Sequence, residues 1–189
     1  MEALFEIFSQ IHPMSSGLQD YIIKHLKCRK LKKKELLLKK HQTNSIGSFL
    51  NSGLLHCYYL ENDKKITSWF LQEKRLAISV QSFFSQTPSY ECIEAIEPCE
   101  IFYLTWEELQ TAYKTYSELN YIIRELLQKY YMEKEQHAYQ LQKGTNTRER
   151  FDWFIKSFPD LITRVPMRHV ASFLGVTEET LSRIRSQKP

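Results

Sequence analysis

The chain has 189 residues, of which 42% are apolar and 13% aromatic, and its formal net charge is +4. This is enough apolar material for a packed core, so we expect a globular protein with one large domain or two small ones. No apolar run approaches the roughly 20 residues that cross a bilayer, and the N-terminus lacks the features of a signal peptide. We therefore expect a cytoplasmic chain.

The first 26 residues are predicted to form two short helices. Apolar residues recur there at helical spacing on either side of Pro13 and Gly17. From about Lys33 the pattern changes to short apolar runs that are typical of β-strands. Asn62 and Asp63 mark a hairpin between two of these runs, and Glu97-Pro98 marks a second one. About eight short strands at this spacing predict an antiparallel barrel or sandwich.

A long helix is predicted after the last strand. The Thr105 hydroxyl can cap a helix that begins Trp-Glu-Glu-Leu, with Glu108 as the third residue of a capping box. Apolar or aromatic residues then recur at steps of four and three: Leu119, Ile123, Leu126, Tyr130, His137 and Leu141. The stripe has two interpretations, an amphipathic helix lying on the barrel or a parallel coiled coil between two copies of the chain. We favour the homodimer, through Leu119, Ile123, Leu126 and Tyr130.

The stretch 147–163 is predicted to be a further helix, with four core residues at helical spacing and a stop at Pro159: Phe151, Phe154, Ile155 and Phe158. Gly144, Thr145 and Asn146 precede it and mark a domain boundary. We therefore predict a sensor domain at 1–115, a dimerisation helix at 116–143 and a C-terminal domain at 144–189.

The C-terminal domain ends in a pattern that is typical of a helix-turn-helix. Val165, Val170, Ala171 and Leu174 share one face of a helix that Pro166 opens. Gly175 supplies a sharp turn, and Thr177 caps a second helix. Val176, Leu181 and Ile184 face back to the first helix. The small and apolar residues stand at the positions where two such helices touch.

Polar residues on the outer face of the second helix are suited to DNA: Thr177, Glu178, Glu179, Thr180, Ser182, Arg183, Arg185 and Ser186. Arg183 can donate twice to guanine, and Glu179 can accept from cytosine. Side chains suited to phosphates are Thr180, Ser182, Arg185 and Lys188, together with Arg168 and His169 of the first helix. The alternative is a solvent-exposed helix face with no DNA contact. Basic residues at Lys27–Lys34, Lys39, Lys40 and Arg164–Lys188 make the charge bipolar along the chain.

These features resemble the Crp/Fnr superfamily of bacterial transcription regulators over nearly the whole chain. Recognition helices of that family commonly read Ser/Thr-Arg-Glu-Thr-Val/Leu-Ser-Arg, and this chain has Thr-Glu-Glu-Thr-Leu-Ser-Arg at 177–183. Glu179 and Arg183 match, whereas Glu178 replaces an arginine, so the preferred bases should differ. The resemblance implies an α+β fold: an N-terminal antiparallel β-roll like a cyclic-nucleotide-binding domain, a long dimerisation helix and a C-terminal helix-turn-helix. Because the chain ends at Pro189, we expect no β-wing after the recognition helix.

The resemblance also implies where a ligand would bind. Family members that bind cyclic AMP carry a glycine and a glutamate followed by an arginine and a serine or threonine, whose arginine neutralises the cyclic phosphate. Ile78, Ser79, Ser89 and Tyr90 stand at those positions here, so we expect no response to cyclic AMP. Lys74 and Arg75 lie nearby and can meet an anion or serve as surface charge. An unidentified small-molecule effector, contacted by Ser79, Ser82, Ser89 or Tyr90, stays open.

The sequence gives no indication of an enzyme. Cys28, Cys57, Cys92 and Cys99 lack the spacing of a zinc or iron–sulfur site, and we expect reduced thiols in or near strands. We find no activated nucleophile and no paired catalytic carboxylates, so we expect no catalytic residues, no metal and no cofactor. The hypothesis that competes with a DNA-binding regulator is a ligand-sensing or protein-interaction module with weak or no DNA binding.

Overall fold

The computed structural model describes residues 1–143 and 146–186. The strands of this part are β1 (Lys27–Leu31), β2 (Leu36–Leu38), β3 (Ile46–Ser52), β4 (Leu55–Glu61), β5 (Lys64–Leu71), β6 (Cys92–Ala95) and β7 (Cys99–Thr105). Its helices are α1 (Glu2–Ile11), α2 (Ser16–His25), α3 (Val80–Ser85), α4 (Trp106–Thr115), α5 (Ser117–Gln142), α6 (Thr147–Ser157), α7 (Leu161–Arg164), α8 (Met167–Phe173) and α9 (Glu178–Ser186). The predicted α+β fold class is confirmed, as are the two N-terminal helices.

The chain divides into two compact units. The first unit consists of Met1–Cys57 and Phe70–Tyr130, and the second of Tyr58–Trp69 and Tyr131–Pro189. The outer half of the β4–β5 hairpin therefore groups with the C-terminal helices, which no local sequence signal indicated. The division into 1–115, 116–143 and 144–189 stays a prediction, and its boundary residues Gly144 and Thr145 lie outside the described residues.

Two antiparallel sheets form the β-roll, with strand orders β1-β7-β3 and β2-β6-β4-β5. Asn62 and Asp63 have φ angles of 49° and 61° between β4 and β5. Two consecutive positive φ angles match the twist of a tight hairpin, so the first predicted hairpin is confirmed. The second is wrong. Glu97-Pro98 connects β6 to β7, and these strands belong to different sheets.

The core of the first unit lies between the helices and one face of the β-roll. Leu4, Leu18, Phe83 and Leu109 contribute to it from four helices. The first half of α5 joins the same core through three residues, which are Leu119, Ile122 and Ile123 with exposed fractions of 1%, 0% and 9%. Leu126 also packs against this core.

The predicted dimer seam must therefore be corrected. Leu119 and Ile123 have almost no surface left for a second chain because they are buried within their own unit. For this half of α5, the interpretation as an amphipathic helix lying on the barrel is the right one. A heptad-like stripe identifies an apolar face but not the surface that covers it.

The capping box before α4 is confirmed. The Glu108 backbone N–H donates to the Thr105 hydroxyl over 3.2 Å, and the Thr105 N–H donates to the Glu108 carboxylate over 2.8 Å. The same carboxylate pairs with Lys27 at 2.6 Å. Burial opposes ionisation of Glu108, but these bonds from Lys27 and Thr105 outweigh it and lower its pKa. The transition from strand to helix is thus fixed by hydrogen bonds.

The helix α6 ends at Ser157, before Pro159, as predicted. Phe151, Phe154 and Phe158 are buried, which confirms them as core. The prediction that Ile155 is a core residue is wrong, since 37% of its surface is exposed. At 100° per residue it lies at the edge of the apolar face, where the neighbouring elements do not reach.

The four cysteines are outside any disulfide and lie in β1, β4, β6 and β7, which agrees with their predicted placement in strands. Cys28 is exposed, and the other three are buried. Within residues 1–143 and 146–186, no helix combines the length and the apolar character needed to cross a bilayer.

Candidate nucleic-acid interface

The helices α8 and α9 are joined by a tight turn at Gly175. Its φ angle is +68°, a left-handed conformation that a residue without a Cβ adopts at little cost. The Val176 N–H donates to the Ala171 carbonyl over 3.0 Å, and the Gly175 N–H donates to the Ser172 carbonyl over 3.1 Å. This pair of bonds is the Schellman motif, which closes the end of α8. The predicted turn is confirmed.

Apolar residues hold the two helices together. Val170, Leu174 and Leu181 are fully buried, and Ala171 and Ile184 are exposed by only 2% and 8%. Fully burying a leucine-sized side chain contributes roughly 1.5–3 kcal/mol each. The inner face of α9 is therefore committed to packing, and its orientation is fixed.

The first turn of α9 is capped by Thr177, as predicted. The Thr180 N–H donates to the Thr177 hydroxyl over 3.2 Å, and the two hydroxyls lie 3.0 Å apart. The pKa of Glu179 is lowered, first by its own backbone N–H and then by the Thr177 hydroxyl. This carboxylate is ionised at neutral pH and can only accept hydrogen bonds.

The N-cap and outer face of α9 present seven of the predicted DNA-contacting residues to solvent: Thr177, Glu178, Glu179, Ser182, Arg183, Arg185 and Ser186. Thr180 is half-buried. Glu179 and Arg183 are one helical turn apart, and both line an open groove of about 590 Å³ with Met167 of α8. Arg168 is exposed on α8 but does not line this groove.

One predicted phosphate contact is incorrect. His169 is 8% exposed and belongs to the buried side of α8, so its ring is not presented to a DNA backbone. The sequence placed it beside Arg168, but consecutive helical residues point about 100° apart. The predicted contact from Lys188 lies outside the described residues.

Two arginines of α6 donate hydrogen bonds to backbone carbonyls of the helix pair. The Arg150 guanidinium donates to the Leu174 carbonyl over 2.9 Å, next to the turn. Arg148 donates to the Ile184 carbonyl over 3.3 Å near the end of α9, and it also pairs with Asp152 at 3.1 Å. Both arginines satisfy carbonyls at helix ends, which otherwise lack a partner.

A buried aromatic cluster, which the sequence did not predict, joins α5 to the helix pair within the second unit. The His137 ring stacks on Phe173 at 3.8 Å and near Trp153 at 5.7 Å, nearly parallel to both. Its Nε2 lies 3.1 Å from the Phe173 carbonyl oxygen. Burial lowers the pKa of His137 to about 4 and thus keeps the ring neutral. The face of the predicted stripe that carries His137 is thus covered within the second unit.

The strand β5 completes this cluster. Trp69 is 1% exposed and lies 5.9 Å from both Phe158 and Phe173, measured between ring centroids. The Thr67 N–H donates to the Ser172 hydroxyl of α8 over 2.9 Å. A tryptophan in a strand is an ordinary core signal, and no local pattern indicated that its partners would come from the C-terminal helices.

The serines predicted to contact a ligand form a network inside the first unit. Ser79, Ser82 and Ser89 are at most 1% exposed. Ser89 donates to the Ser79 hydroxyl over 3.2 Å or to the Glu91 carbonyl over 2.9 Å, and Ser82 donates to the Thr87 carbonyl over 2.6 Å. These bonds within the protein argue against the predicted ligand contacts. Tyr90, in contrast, is 58% exposed.

The fold of the chain is that of solved Crp/Fnr regulators: a β-roll like that of cyclic-nucleotide-binding domains, a long helix and a helix-turn-helix. The solved structures that share it include the c-di-GMP responsive global regulator CLP from Xanthomonas campestris, with a TM-score of 0.71, 16% identity and coverage of 90% of this chain and 89% of CLP. FixK2 from Bradyrhizobium japonicum has a TM-score of 0.71 and 18% identity over 86% of this chain and 83% of its own.

A third structure, from Eubacterium rectale and assigned to the Crp/Fnr family of transcriptional regulators, has a TM-score of 0.71 and 15% identity, covering 90% of this chain and 82% of that one. No protein-family model matches the sequence, and a search of curated proteins finds no significant match. At these identities the likeness establishes the fold, and the resemblance inferred from the sequence is confirmed at that level.

Proposed function

We propose that this chain is a DNA-binding transcription regulator of the Crp/Fnr type, which acts in the cytoplasm as a homodimer and is not an enzyme. The observation that carries the proposal is the outer face of α9, where hydrogen-bonding side chains are exposed on a helix whose inner face is buried. The fold shared with solved regulators supports it.

The contacts to DNA divide by chemistry. Arg183 reads guanine through O6 and N7, and Glu179 accepts from cytosine N4 in the major groove. Phosphate contacts are assigned to Thr180, Ser182, Arg185 and Arg168, which orient the helix without reading sequence. Glu178 replaces the arginine that the family pattern carries, so it removes one cation from the site and directs the preference toward other bases.

The acidic first turn of α9 favours a second candidate function. Glu178 and Glu179 are both exposed there, and two carboxylates repel phosphates. A ligand-sensing or protein-interaction module with weak or no DNA binding would not meet this repulsion. The two candidates differ in what Arg183 does, so one substitution separates them.

The experiment uses genomic fragments enriched by the protein at low salt and measures their affinity by fluorescence anisotropy. Arg183→Ala should weaken binding by about 5- to 150-fold, because a bidentate arginine–guanine pair contributes roughly 1–3 kcal/mol. The matched control is Lys156→Ala, which removes one exposed positive charge from α6 of the same unit and should change affinity less than about twofold. Equal affinity of the Arg183 variant and the parent supports the interaction module instead.

We assign the homodimer contact to the exposed side of the second half of α5. Met132 and Tyr139 are 53% and 58% exposed and one heptad apart, so they lie on the same helix face. A second copy of the chain would cover these apolar groups, whereas Leu119 and Ile123 are already covered by their own unit.

The regulator should not respond to cyclic AMP. The cassette positions hold Ile78, Ser79, Ser89 and Tyr90, none of which carries the positive charge that a buried cyclic phosphate needs. The hydroxyls of Ser79 and Ser89 also bond to one another.

A further inference from the structure

A cavity of about 470 Å³ lies in the first unit, apart from the serine network. Three segments line it: α1, the stretch 73–80 and the part of α5 from Glu125 to Tyr130. Half of its lining residues are aliphatic, and they include Ile7, Ile11, Leu76 and Leu126. The volume falls within the range of roughly 300–1,000 Å³ that is usual for small-molecule sites.

The carboxylates at this cavity are engaged with donors elsewhere. Glu73 accepts from the Gly53 N–H over 3.0 Å, and Glu125 pairs with Arg124 at 3.0 Å. The lining carries three cationic side chains against these two carboxylates, so its net charge is +1.

The cations are Lys74, Arg75 and Lys129. Lys74 reaches Glu6 at 3.9 Å, but both side chains are more than half exposed, so this pair is weak. Lys129 is exposed, and no carboxylate of the described residues lies within ion-pair distance of it. It is therefore the cation best able to meet an incoming anion.

The rim that carries Lys74 and Arg75 is held in place by the backbone. The Lys74 N–H donates to the Leu50 carbonyl over 2.8 Å, and the Leu50 N–H donates to the Arg75 carbonyl over 2.9 Å. Lys74 has a φ angle of 68°, which is uncommon for a residue with a Cβ. These bonds fix a turn that presents two adjacent cations at the cavity.

We propose that this cavity binds an amphipathic carboxylate, with its hydrocarbon chain against Ile7, Ile11 and Leu126 and its carboxylate beside Lys129. At roughly 30 Å³ for each water-sized group, the cavity holds about fifteen non-hydrogen atoms. A ten-carbon carboxylic acid has about twelve non-hydrogen atoms and therefore nearly fills the cavity. The proposal does not depend on DNA binding or on Ser79, Ser82 and Ser89.

The test is calorimetric titration of the full chain with decanoate, compared with decyltrimethylammonium, which has the same tail and the opposite charge. Decanoate should bind with one-to-one stoichiometry, and the cation should bind at least about tenfold more weakly because it faces Lys129 and its neighbours. Lys129→Glu should weaken decanoate about tenfold. The control Lys33→Glu makes the same charge change on an exposed turn and should leave the affinity unchanged.

Methyl NMR locates the ligand, because Ile7, Ile11 and Leu126 should shift on titration while Ile184 of α9 should not. Equal affinity for the anion and the cation, binding insensitive to Lys129→Glu, shifts confined to other methyl groups, or no saturable binding would each overturn the proposal. DNA affinity is measured separately, so a failure here is distinguishable from a failure of the regulator proposal.

Discussion

Acid should destabilise the second unit through His137, and replacing this residue by phenylalanine should remove that effect. The imidazole is 7% exposed, and burial is the main reason why its folded pKa is about 4. The unfolded chain has a pKa near 6.5. Between these values the unfolded state binds the proton and the folded state does not, so the free energy of unfolding falls as the pH drops below about 6.5. At pH 4.5 the loss amounts to about 2.5 kcal/mol.

The assay is urea unfolding at pH 7 and pH 4.5, followed by tryptophan fluorescence in a Trp106→Phe background. Trp106 belongs to the first unit, so the remaining Trp69 and Trp153 report on the second. His137→Phe retains a ring against Phe173 but loses the bond to its carbonyl, which should cost about 1–3 kcal/mol at pH 7. Carboxylates titrate in both proteins, so the difference between them isolates His137. The same pH dependence in both would refute the reasoning.

Three further predictions concern the fold, the dimer and the cassette. Gly53→Ala should cost about 3 kcal/mol of unfolding free energy, since its φ is +96° and a Cβ would lie 2.5 Å from the Pro98 carbonyl oxygen. Gly175→Ala should cost only about 1 kcal/mol, because its Cβ meets nothing closer than 3.7 Å. Equal losses of the two variants in denaturant melts would contradict this. Met132→Glu should shift the chain from dimer to monomer in sedimentation velocity. Ser157→Glu, which adds the same charge on α6, should leave the dimer intact. A Met132→Glu variant that stays dimeric would exclude the Met132 face of α5 as the dimer contact. Cyclic AMP should leave both the melting temperature and DNA affinity unchanged, and a thermal shift with cyclic AMP would contradict the assignment.

The features predicted correctly are those encoded by neighbouring residues. The Thr105 capping box, the Asn62-Asp63 hairpin and the Gly175 turn each depend on a few adjacent residues whose backbone preferences agree. The helix-turn-helix was recognisable for the same reason: its turn and its small and apolar contacts fall within one short segment.

The features predicted wrongly depend on partners far away in the chain. Leu119 and His137 lie on the same periodic stripe, yet the first unit covers one and the second unit covers the other. Periodicity shows that a face is apolar but not what buries it. The same limit applies to Ile155, and to His169, whose burial follows from the packing of α8. The cavity beside Lys129 could not be predicted from the sequence either, because α1, residues 73–80 and α5 meet only in the folded unit.

The central claim is that α9 reads base edges in the major groove, and methylation protection at guanine N7 tests it most directly, since this atom lies in that groove. With an enriched genomic fragment, the parent protein should protect guanines in two symmetric half-sites about one helical turn, or a multiple of it, apart. Arg183→Ala should lose the protection of a guanine in each half-site while Lys156→Ala keeps it. Binding without any N7 protection, or protection that is the same in the Arg183 variant, would contradict the account.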